Sequence, residues 1–276
     1  MSFSDNPLVQ QSSQLTTLQK FEYVFTLLQG KTAVITGGAR GLGFEMTRAL
    51  CEAGCTSIGI FDILSEWGDS AQYNNKYLIF LSSFYQLDVR DQKAVVSAVD
   101  GIVRDYGGVD ILLTSAGVAD NIAAEDYPAD RFRRVMDINL NGTFFVAQAI
   151  ANIQIQNKKP CSMVFIGSMS GNIVNYPQPQ CAYNASKAAV IHLAKSLACE
   201  WAPHNIRVNT ISPGYMNTAI TDKFDPNLKK TWYERTPMGR MGHVTDLNGA
   251  AIWLLSPASN YVTGTDVLVD GGYCAL

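Results

Sequence analysis

Two side chains spaced four residues apart could move a proton together. Tyr183 and Lys187 stand in the sequence Tyr-Asn-Ala-Ser-Lys, and this spacing places both on one face of a helix. Free tyrosine has a pKa of about 10, and a neighbouring ammonium favours the phenolate and lowers that value. The pair therefore predicts a phenol that exchanges a proton with an alcohol or a carbonyl near neutral pH. The alternative is a packing tyrosine beside a lysine whose ammonium reaches solvent.

A serine hydroxyl is expected close to that phenol. The apolar run Met163–Gly167 predicts a strand, and Ser168 follows its carboxyl end. Ligands gather at the carboxyl edge of a parallel sheet, where a hydroxyl can hydrogen-bond a substrate oxygen and fix its orientation. Ser170, two residues further on, is the rival candidate.

A glycine-rich turn indicates a second kind of chemistry, phosphate binding. The apolar run Thr32–Thr36 leads directly into Gly-Gly-Ala-Arg-Gly-Leu-Gly and then into a helical pattern. Gly37 allows the tight turn, Gly41 lets the backbone approach a pyrophosphate, and Gly43 lets helix and strand pack closely. The amides and dipole of the helix N-terminus favour the phosphates. We therefore predict a dinucleotide site, the alternative being a plain glycine turn.

Three charged side chains bear on which dinucleotide is bound. Asp62 follows the run Ser57–Phe61, where a carboxylate would accept from the ribose hydroxyls and repel a 2′-phosphate. Arg40 acts the other way, because a guanidinium in the glycine turn can pair with that phosphate. We expect Asp62 to dominate, which makes NAD the predicted cofactor and leaves NADP possible. Asp88 follows the next strand and could hold the adenine amino group.

Apolar, β-rich runs alternate with helical patterns from Lys31 onward. The predicted strands are Thr32–Thr36, Ser57–Phe61, Tyr85–Leu87, Val109–Thr114, Met163–Gly167, Val208–Ile211 and Val267–Val269. The predicted helices include Phe44–Ala53, Gln92–Tyr106, Ala129–Asn152 and Tyr183–Trp201. Such alternation indicates parallel strands joined by right-handed crossovers, with helices on both faces. We expect one α/β domain over residues 29–276, a Rossmann-type doubly wound parallel sheet, after an N-terminal arm at residues 1–28.

Composition excludes several classes of function. The chain has 276 residues, 47% of them hydrophobic, which suits a domain with a sizeable core. Its 21 basic and 24 acidic residues give a net charge of −3, without the basic excess that nucleic acid or a membrane surface would attract. We see no secretory signal, membrane span or metal-binding motif, and the six cysteines are scattered. A cytoplasmic protein with reduced cysteines is expected.

The segment at about residues 215–238 is polar and aromatic. It follows a predicted strand, and we predict that it forms a substrate lid that excludes water. The alternative is an ordinary pair of surface helices. Tyr273, near the C-terminus, is a candidate contact with a neighbouring subunit.

Together and in this order, these motifs resemble those of the short-chain dehydrogenase/reductase family. The resemblance covers roughly residues 28–274. Further stretches, Gly167–Gly171, Pro177–Gln180 and Ser196–Trp201, are similar to yeast and fungal polyol dehydrogenases. Among these the D-arabinitol dehydrogenases come first, followed by mannitol dehydrogenases, sorbose reductases and yeast carbonyl reductases.

The resemblance implies a role for each candidate residue. Tyr183 would be the general acid and base, and Lys187 would lower its pKa and bind the nicotinamide ribose. Ser168 would polarise the substrate oxygen, and Asn139 would hold a water in the proton relay. The residues implied to bind the cofactor are Gly37, Arg40, Gly41, Leu42, Gly43, Asp62, Asp88, Val89, Ala116, Gly117, Tyr183, Lys187, Pro213, Gly214 and Thr218.

Two features depart from the family pattern. After the fourth strand the family usually has Asn-Asn-Ala-Gly, whereas this chain has Thr114-Ser115-Ala116-Gly117. Since the first Asn normally helps to hold the central sheet, its replacement puts local stability in doubt rather than catalysis. The stretch between the serine and Tyr183 is also slightly longer than is usual. Placing the extra residues in the loop at 176–180 favours Ser168, whereas the shorter count favours Ser170.

The resemblance implies an NAD-dependent oxidoreductase that interconverts a secondary alcohol, a small polyol such as D-arabinitol, and its ketose. The alternative is an NADPH-dependent reductase of another ketone or a biosynthetic carbonyl compound. A dinucleotide-binding regulator without turnover could have lost Tyr183 or Lys187, and both are present. The expected partners are a small-molecule substrate and further copies of the chain, as a homotetramer or homodimer.

Overall fold

The computed structural model describes residues 28–65, 82–218, 221 and 224–276. The predicted N-terminal arm lies outside the described residues except for Leu28, whose side chain is buried in the core. In the described part of the chain, no helix is long and apolar enough to cross a membrane.

The centre of the fold is a seven-stranded sheet in which every neighbouring pair of strands is parallel. In chain order its strands are β1 (Thr32–Thr36), β2 (Ser57–Asp62), β3 (Ser82–Gln86), β4 (Ile111–Thr114), β5 (Cys161–Ile166), β6 (Ile206–Pro213) and β9 (Asp266–Val269). A separate two-stranded sheet contains β7 (Met216–Asn217) and β8 (Gly242–His243). The order in the large sheet is β3-β2-β1-β4-β5-β6-β9. The order reverses between β1 and β4, which is where doubly wound sheets bind ligands.

Helices cover both faces of this sheet. They are α1 (Gly41–Glu52), α2 (Gln92–Tyr106), α3 (Ala129–Met136), α4 (Gly142–Gln156), α5 (Cys181–Trp201), α6 (Pro226–Arg235) and α7 (Asn248–Leu255). The neighbours Val34 and Ile35 of β1 point to opposite faces, and both are fully buried, each in a different hydrophobic cluster. The expected α/β Rossmann architecture is confirmed.

The predicted strands are all present, with different ends. The prediction for β3 began at Tyr85, but the strand begins three residues earlier because Ser82 and Ser83 pair with β2 despite their polar side chains. Likewise β6 extends to Pro213, which lies in register with Val269 of β9.

The predicted helix Ala129–Asn152 is longer than expected and irregular. Helices α3 and α4 are joined by a π-helical turn, Asp137–Asn141, and α4 continues to Gln156. Such turns insert an extra residue and are frequent at functional sites. Here the turn carries Asn139, whose side chain is almost fully buried.

Candidate active site

The predicted site residues converge on the carboxyl edge of the sheet. The glycine turn follows β1, Asp62 ends β2, Ala116 and Gly117 follow β4, and Ser168 follows β5. Parallel strands bring these ends together although the residues are far apart in sequence.

Two glycines of the first turn are required by close contacts, and a third is favoured by its backbone conformation. At Gly43 an added Cβ would lie 2.2 Å from the carbonyl oxygen of Gly37, and at Gly37 it would lie 2.7 Å from the amide nitrogen of Ala116. Gly41 has a φ of +58°, and an added Cβ there would meet nothing within 4 Å. The turn is therefore tightly packed at Gly37 and Gly43 and open at Gly41, where α1 begins. A pyrophosphate would bind at this open end, next to Leu42. This arrangement fits a dinucleotide.

The carboxylate of Asp62 is bound to the glycine turn. Its Oδ2 accepts from the amide of Ala39 at 3.1 Å and its Oδ1 accepts from the amide of Leu64 at 3.1 Å. Each oxygen keeps capacity for a further donor, as ribose hydroxyls would require. The Arg40 side chain is exposed and forms no ion pair with any described residue. The Asp62 carboxylate and the Arg40 guanidinium can thus both interact with a dinucleotide bound at the glycine turn.

The loop after β4 is held by Thr36. The Thr36 hydroxyl oxygen accepts from the amides of Ser115 and Ala116, each at 3.2 Å. By contrast, the buried hydroxyl of Thr114 has no hydrogen-bond partner among the described residues. The departure from the family's Asn at this position therefore leaves a polar atom unpaired inside the sheet. An added Cβ on Gly117 would lie 3.7 Å from Nζ of Lys187, so this loop borders the lysine.

The Asn139 side chain is a clamp between three elements. Its Oδ1 accepts from the amide of Val118, and its Nδ2 donates to the carbonyl of Val118 and to the hydroxyl of Ser186, all at 2.9 Å. The Ser186 hydroxyl in turn donates to the carbonyl of Tyr183 at 2.8 Å. Asn139 therefore positions the loop after β4 and the start of α5. The role of holding a water stays a prediction.

The structure gives Asp88 and Val89 additional local contacts. Arg90 pairs with the Asp88 carboxylate, with Nη2 to Oδ2 at 2.6 Å, and this contact lowers the pKa of Asp88. Val89 packs against Gly142, where an added Cβ would lie 2.5 Å from Cγ2 of the valine. The carboxylate of Asp88 is therefore already partnered at the expected adenine position.

The remaining predicted cofactor residues lie after β6. Gly214 follows Pro213, donates its amide to Val269 at 3.0 Å, and approaches Asp270 so closely that an added Cβ would lie 2.7 Å from its Cα. The amide of Thr218 donates to the hydroxyl of Thr221 at 2.9 Å. The rest of this stretch, residues 219–220 and 222–223, lies outside the described residues.

Lys187 and Tyr183 are adjacent, but their pKa values differ from the expectation. The Lys187 ammonium donates to the carbonyl of Ile166 at 2.7 Å and lies 5.6 Å from the centroid of the Tyr183 ring. Burial lowers the pKa of Lys187 to about 8. Burial also raises the pKa of Tyr183, against the smaller lowering effect of Ser168. The predicted lowering is therefore wrong for this arrangement, because burial has the larger effect on the pKa of Tyr183.

The two candidate serines have different partners. The side chain of Ser168 hydrogen-bonds Tyr183 and acts to lower its pKa. The Ser168 hydroxyl also accepts from the amide of Ser170 at 3.1 Å. The Ser170 hydroxyl instead accepts from the side-chain amide of Gln180 at 3.2 Å. This geometry favours Ser168 as the residue that holds the reacting oxygen.

Sequence reasoning missed a group of side chains beside these serines. Five side chains from the loop before α5, the start of the predicted lid and α6 form one connected group of hydrogen bonds: Asn175, Gln178, Gln180, Tyr215 and Trp232. The amide-rich stretch Pro177–Gln180 was the available signal, but it did not reveal the partners.

Aromatic packing holds the lid segment in place. Tyr215 stacks on Trp232 with ring centroids 4.2 Å apart and an interplanar angle of 11°. Tyr273 meets Tyr215 edge-on at 5.5 Å, and so contacts its own chain. Within the described part of the predicted lid, one helix, α6, turns Trp232 inward.

The arrangement can bind a hydroxyl compound and move a proton. Ser168 and the Tyr183 hydroxyl can hold one oxygen between them, Lys187 supplies a cation next to the phenol, and the glycine turn provides a phosphate cradle at the same sheet edge.

Known proteins share this sequence and fold. A family model described as enoyl-(acyl carrier protein) reductase matches residues 37–274. A D-arabinitol 2-dehydrogenase (ribulose-forming) of Candida tropicalis is 42% identical over 264 residues, with 89% of this chain and 93% of that protein covered. A probable NADP-dependent mannitol dehydrogenase of Yarrowia lipolytica is 41% identical, with coverage of 90% and 88%. The structure of an NAD⁺-bound xylitol dehydrogenase has a TM-score of 0.81 at 32% identity, with coverage of 89% and 99%.

The family match spans residues 37–274, the range in which Ser168, Tyr183 and Lys187 lie. These likenesses agree with a site that fits a nicotinamide dinucleotide beside a phenol and a hydroxyl. The chain belongs to the short-chain dehydrogenase/reductase family and is an NAD(P)-dependent alcohol dehydrogenase.

Proposed function

We propose that the protein interconverts a small polyol, D-arabinitol first among the candidates, and its ketose, with NAD as the cofactor. The observation that carries the proposal is the amide-rich wall formed by Asn175, Gln178 and Gln180 beside Ser170. Polar side chains next to the reacting centre suit a hydroxylated substrate better than an apolar ketone. The likeness to a D-arabinitol 2-dehydrogenase supports the same substrate class.

In the oxidation direction, Ser168 and Tyr183 bind the substrate hydroxyl. Tyr183 in its phenolate form takes the hydroxyl proton, and the C–O single bond becomes a carbonyl as the carbon loses its hydride. A bound nicotinamide supplies the acceptor for that hydride. In this direction the phenolate must form first, and the nearby Lys187 ammonium offsets part of the cost that burial adds to it. Asn139 and Ser186 hold Tyr183 through its backbone carbonyl, so the chain contributes orientation as well as acid and base chemistry.

The substrate is tested by initial rates with arabinitol, xylitol, mannitol and sorbitol, each with NAD and with NADP. We expect NAD-linked oxidation of one polyol and a loss of about 10²- to 10⁴-fold in Tyr183→Phe, which is the contribution typical of general acid–base catalysis. Binding of NAD to the variant, followed by fluorescence, should be unchanged. If no polyol is oxidised with either cofactor, the polyol proposal is wrong and NADPH-linked reduction of another ketone takes its place.

The preference for NAD is assigned to Asp62. Its carboxylate lies in the glycine turn and would repel a 2′-phosphate, while Arg40 would attract one. We expect Asp62→Ser to raise kcat/KM with NADP relative to NAD by about tenfold or more. Asp100→Ser, at an exposed position of α2, is the matched control. A wild-type enzyme that prefers NADP would show that Arg40 decides the cofactor.

Two further expectations remain part of this proposal. The segment at 215–238 would close over the substrate, because Trp232 and Tyr215 already contact the loop before α5. A homotetramer or homodimer is proposed from the mostly apolar helix α5 and is measured by light scattering.

A further inference from the structure

Four side chains beside the active site form a closed ring of hydrogen bonds. The Asn175 amide donates to the Tyr215 hydroxyl at 3.2 Å, and that hydroxyl donates to Oε1 of Gln178 at 2.6 Å. The Gln178 amide nitrogen donates to Oε1 of Gln180 at 3.3 Å, and the Gln180 amide nitrogen donates to Oδ1 of Asn175 at 3.0 Å. Every member thus donates to the next and accepts from the one before.

Trp232 fixes the direction of this ring. Its indole Nε1 lies 3.1 Å from Oε1 of Gln178, and an indole N–H can only donate. The Gln178 oxygen must therefore face Trp232 and Tyr215, and its NH₂ group must face the other way. Rotating this amide by half a turn would break its hydrogen bonds to Trp232 and to Gln180 at once.

The ring is tied to the catalytic groups through Gln180. Its amide nitrogen also lies 3.2 Å from the hydroxyl of Ser170 and 2.9 Å from Oδ1 of Asn184, the residue after Tyr183. Asn175 and Gln180 are buried, whereas Gln178 is only partly buried. Among the three amides of the ring, Gln178 is therefore the one that is fixed on one side and accessible on the other.

Gln178 has one polar hydrogen left over. Its oxygen accepts two hydrogen bonds, and one of its two N–H groups donates to Gln180. The second N–H has no partner among the described residues. A hydrogen-bond donor held at a fixed angle strongly favours ligands that carry an acceptor at that place over analogues that lack it.

We infer that Gln178 is a specificity-determining residue: its free amide N–H binds a hydroxyl of the polyol other than the one oxidised, and the ring holds that donor in position. The inference rests on the proposed polyol activity. It assigns the recognition of the substrate's additional hydroxyls to the loop before α5, and it leaves the chemical step to Ser168 and Tyr183.

The test compares two substrates of equal carbon length. D-Arabinitol, or whichever polyol in the panel is oxidised fastest, is measured beside 2-pentanol, which has a single secondary hydroxyl. We expect Gln178→Met to lower the ratio of kcat/KM for polyol over 2-pentanol by about tenfold, mainly through a higher KM for the polyol. The kcat for 2-pentanol and the dissociation constant of NAD should stay within about twofold.

Two other variants make the result interpretable. Gln156→Met introduces the same substitution at an exposed glutamine near the end of α4 and should leave the ratio unchanged. Trp232→Phe keeps an aromatic ring but removes one donor to the Gln178 oxygen, and should lower the ratio by about threefold. If Gln178→Met does not fold, Trp232→Phe carries the test.

The outcomes are distinct. A wild type that oxidises no polyol overturns the proposed function, and this inference with it. A wild type that oxidises a polyol, with the same ratio in Gln178→Met, overturns the inference alone. Equal losses for both substrates together with a lower melting temperature would show that Gln178 only supports the fold.

Discussion

The two halves of the active site are built by different means. In the cofactor half, Gly37 and Gly43 let backbone segments approach to distances that any side chain would prevent. In the substrate half, Gln178 and Gln180 join segments that come from distant parts of the sequence by side-chain hydrogen bonds. The first half is specified by the absence of side chains, and the second by their chemistry.

This difference has a consequence for variation. A backbone cradle binds any dinucleotide of the right shape, so few substitutions are compatible with it. A wall of amides and aromatic rings can be changed one side chain at a time, and each change alters which substrate fits. We therefore expect mutations in the cofactor half to damage folding and cofactor binding, and those in the substrate half to alter catalysis or selectivity.

The largest effect is expected in the cofactor half, from Gly43→Ala. The added Cβ would lie 2.2 Å from the carbonyl oxygen of Gly37, and overpacking of this kind costs about 3 kcal/mol of folding free energy. NAD binding should be lost as well. Gly41→Ala is the control, since its φ of +58° costs about 1 kcal/mol without a clash. Denaturant unfolding and NAD titration measure both; equal destabilisation by the two changes would contradict the packing argument.

In the substrate half, Ser168→Ala should lose far more catalysis than stability, because the hydrogen bond that its hydroxyl accepts from the Ser170 amide is worth only about 1 kcal/mol. Removing one hydrogen-bond donor to the reacting oxygen costs about 10²-fold in kcat/KM, and the dissociation constant of NAD should not change. Ser170→Ala should remain within about threefold of the wild type, because the Ser170 hydroxyl only accepts from Gln180. A larger loss in Ser170→Ala than in Ser168→Ala would exchange the two roles.

The smallest effect concerns Lys187, where the two halves meet. Its folded-state pKa of about 8 lies below the ordinary value of 10.5. Between these values the unfolded chain holds a proton that the folded chain has released, so this lysine makes stability rise with pH there. Below pH 8 both states are protonated, and the cost of burying the charge is complete. Relative to Lys187→Met, the wild type should therefore gain free energy of unfolding from pH 8 to pH 10. Guanidinium unfolding at several pH values measures this, and a difference independent of pH would be incompatible with the low pKa.

Sequence alone predicted the strands and the glycine turn of the cofactor half, for a physical reason. Strand β1, the glycines after it and Asp62 depend on contacts within one stretch of about 30 residues, or between strand ends whose order follows from the α/β alternation. The helix Gln92–Tyr106 was predicted with its observed ends, because Asp91 and Gly107 cap it with a side-chain acceptor and a left-handed residue.

The substrate half could not be predicted in the same way. No spacing rule joins Gln178 to Trp232, which lies 54 residues further along the chain, and an amide side chain has no preferred partner in sequence. The pKa prediction for Tyr183 failed for a related reason, since it counted the charge of Lys187 but not the burial of both groups. Spacing showed which residues are neighbours, whereas burial and orientation required the fold.

The π-helical turn at Asp137–Asn141 limits how this part of the chain can change in length. Each residue of an α-helix advances the helical phase by about 100°, so deleting one residue from the turn would restore a regular helix and rotate Asn139 away from Val118 and Ser186. After such a deletion the helix would remain regular, but the buried residues of α3 and of α4 could not both keep their present orientation. Insertions and deletions between α3 and α4 would therefore disrupt the contacts of Asn139, whereas substitutions at the exposed positions of α3 would leave them in place.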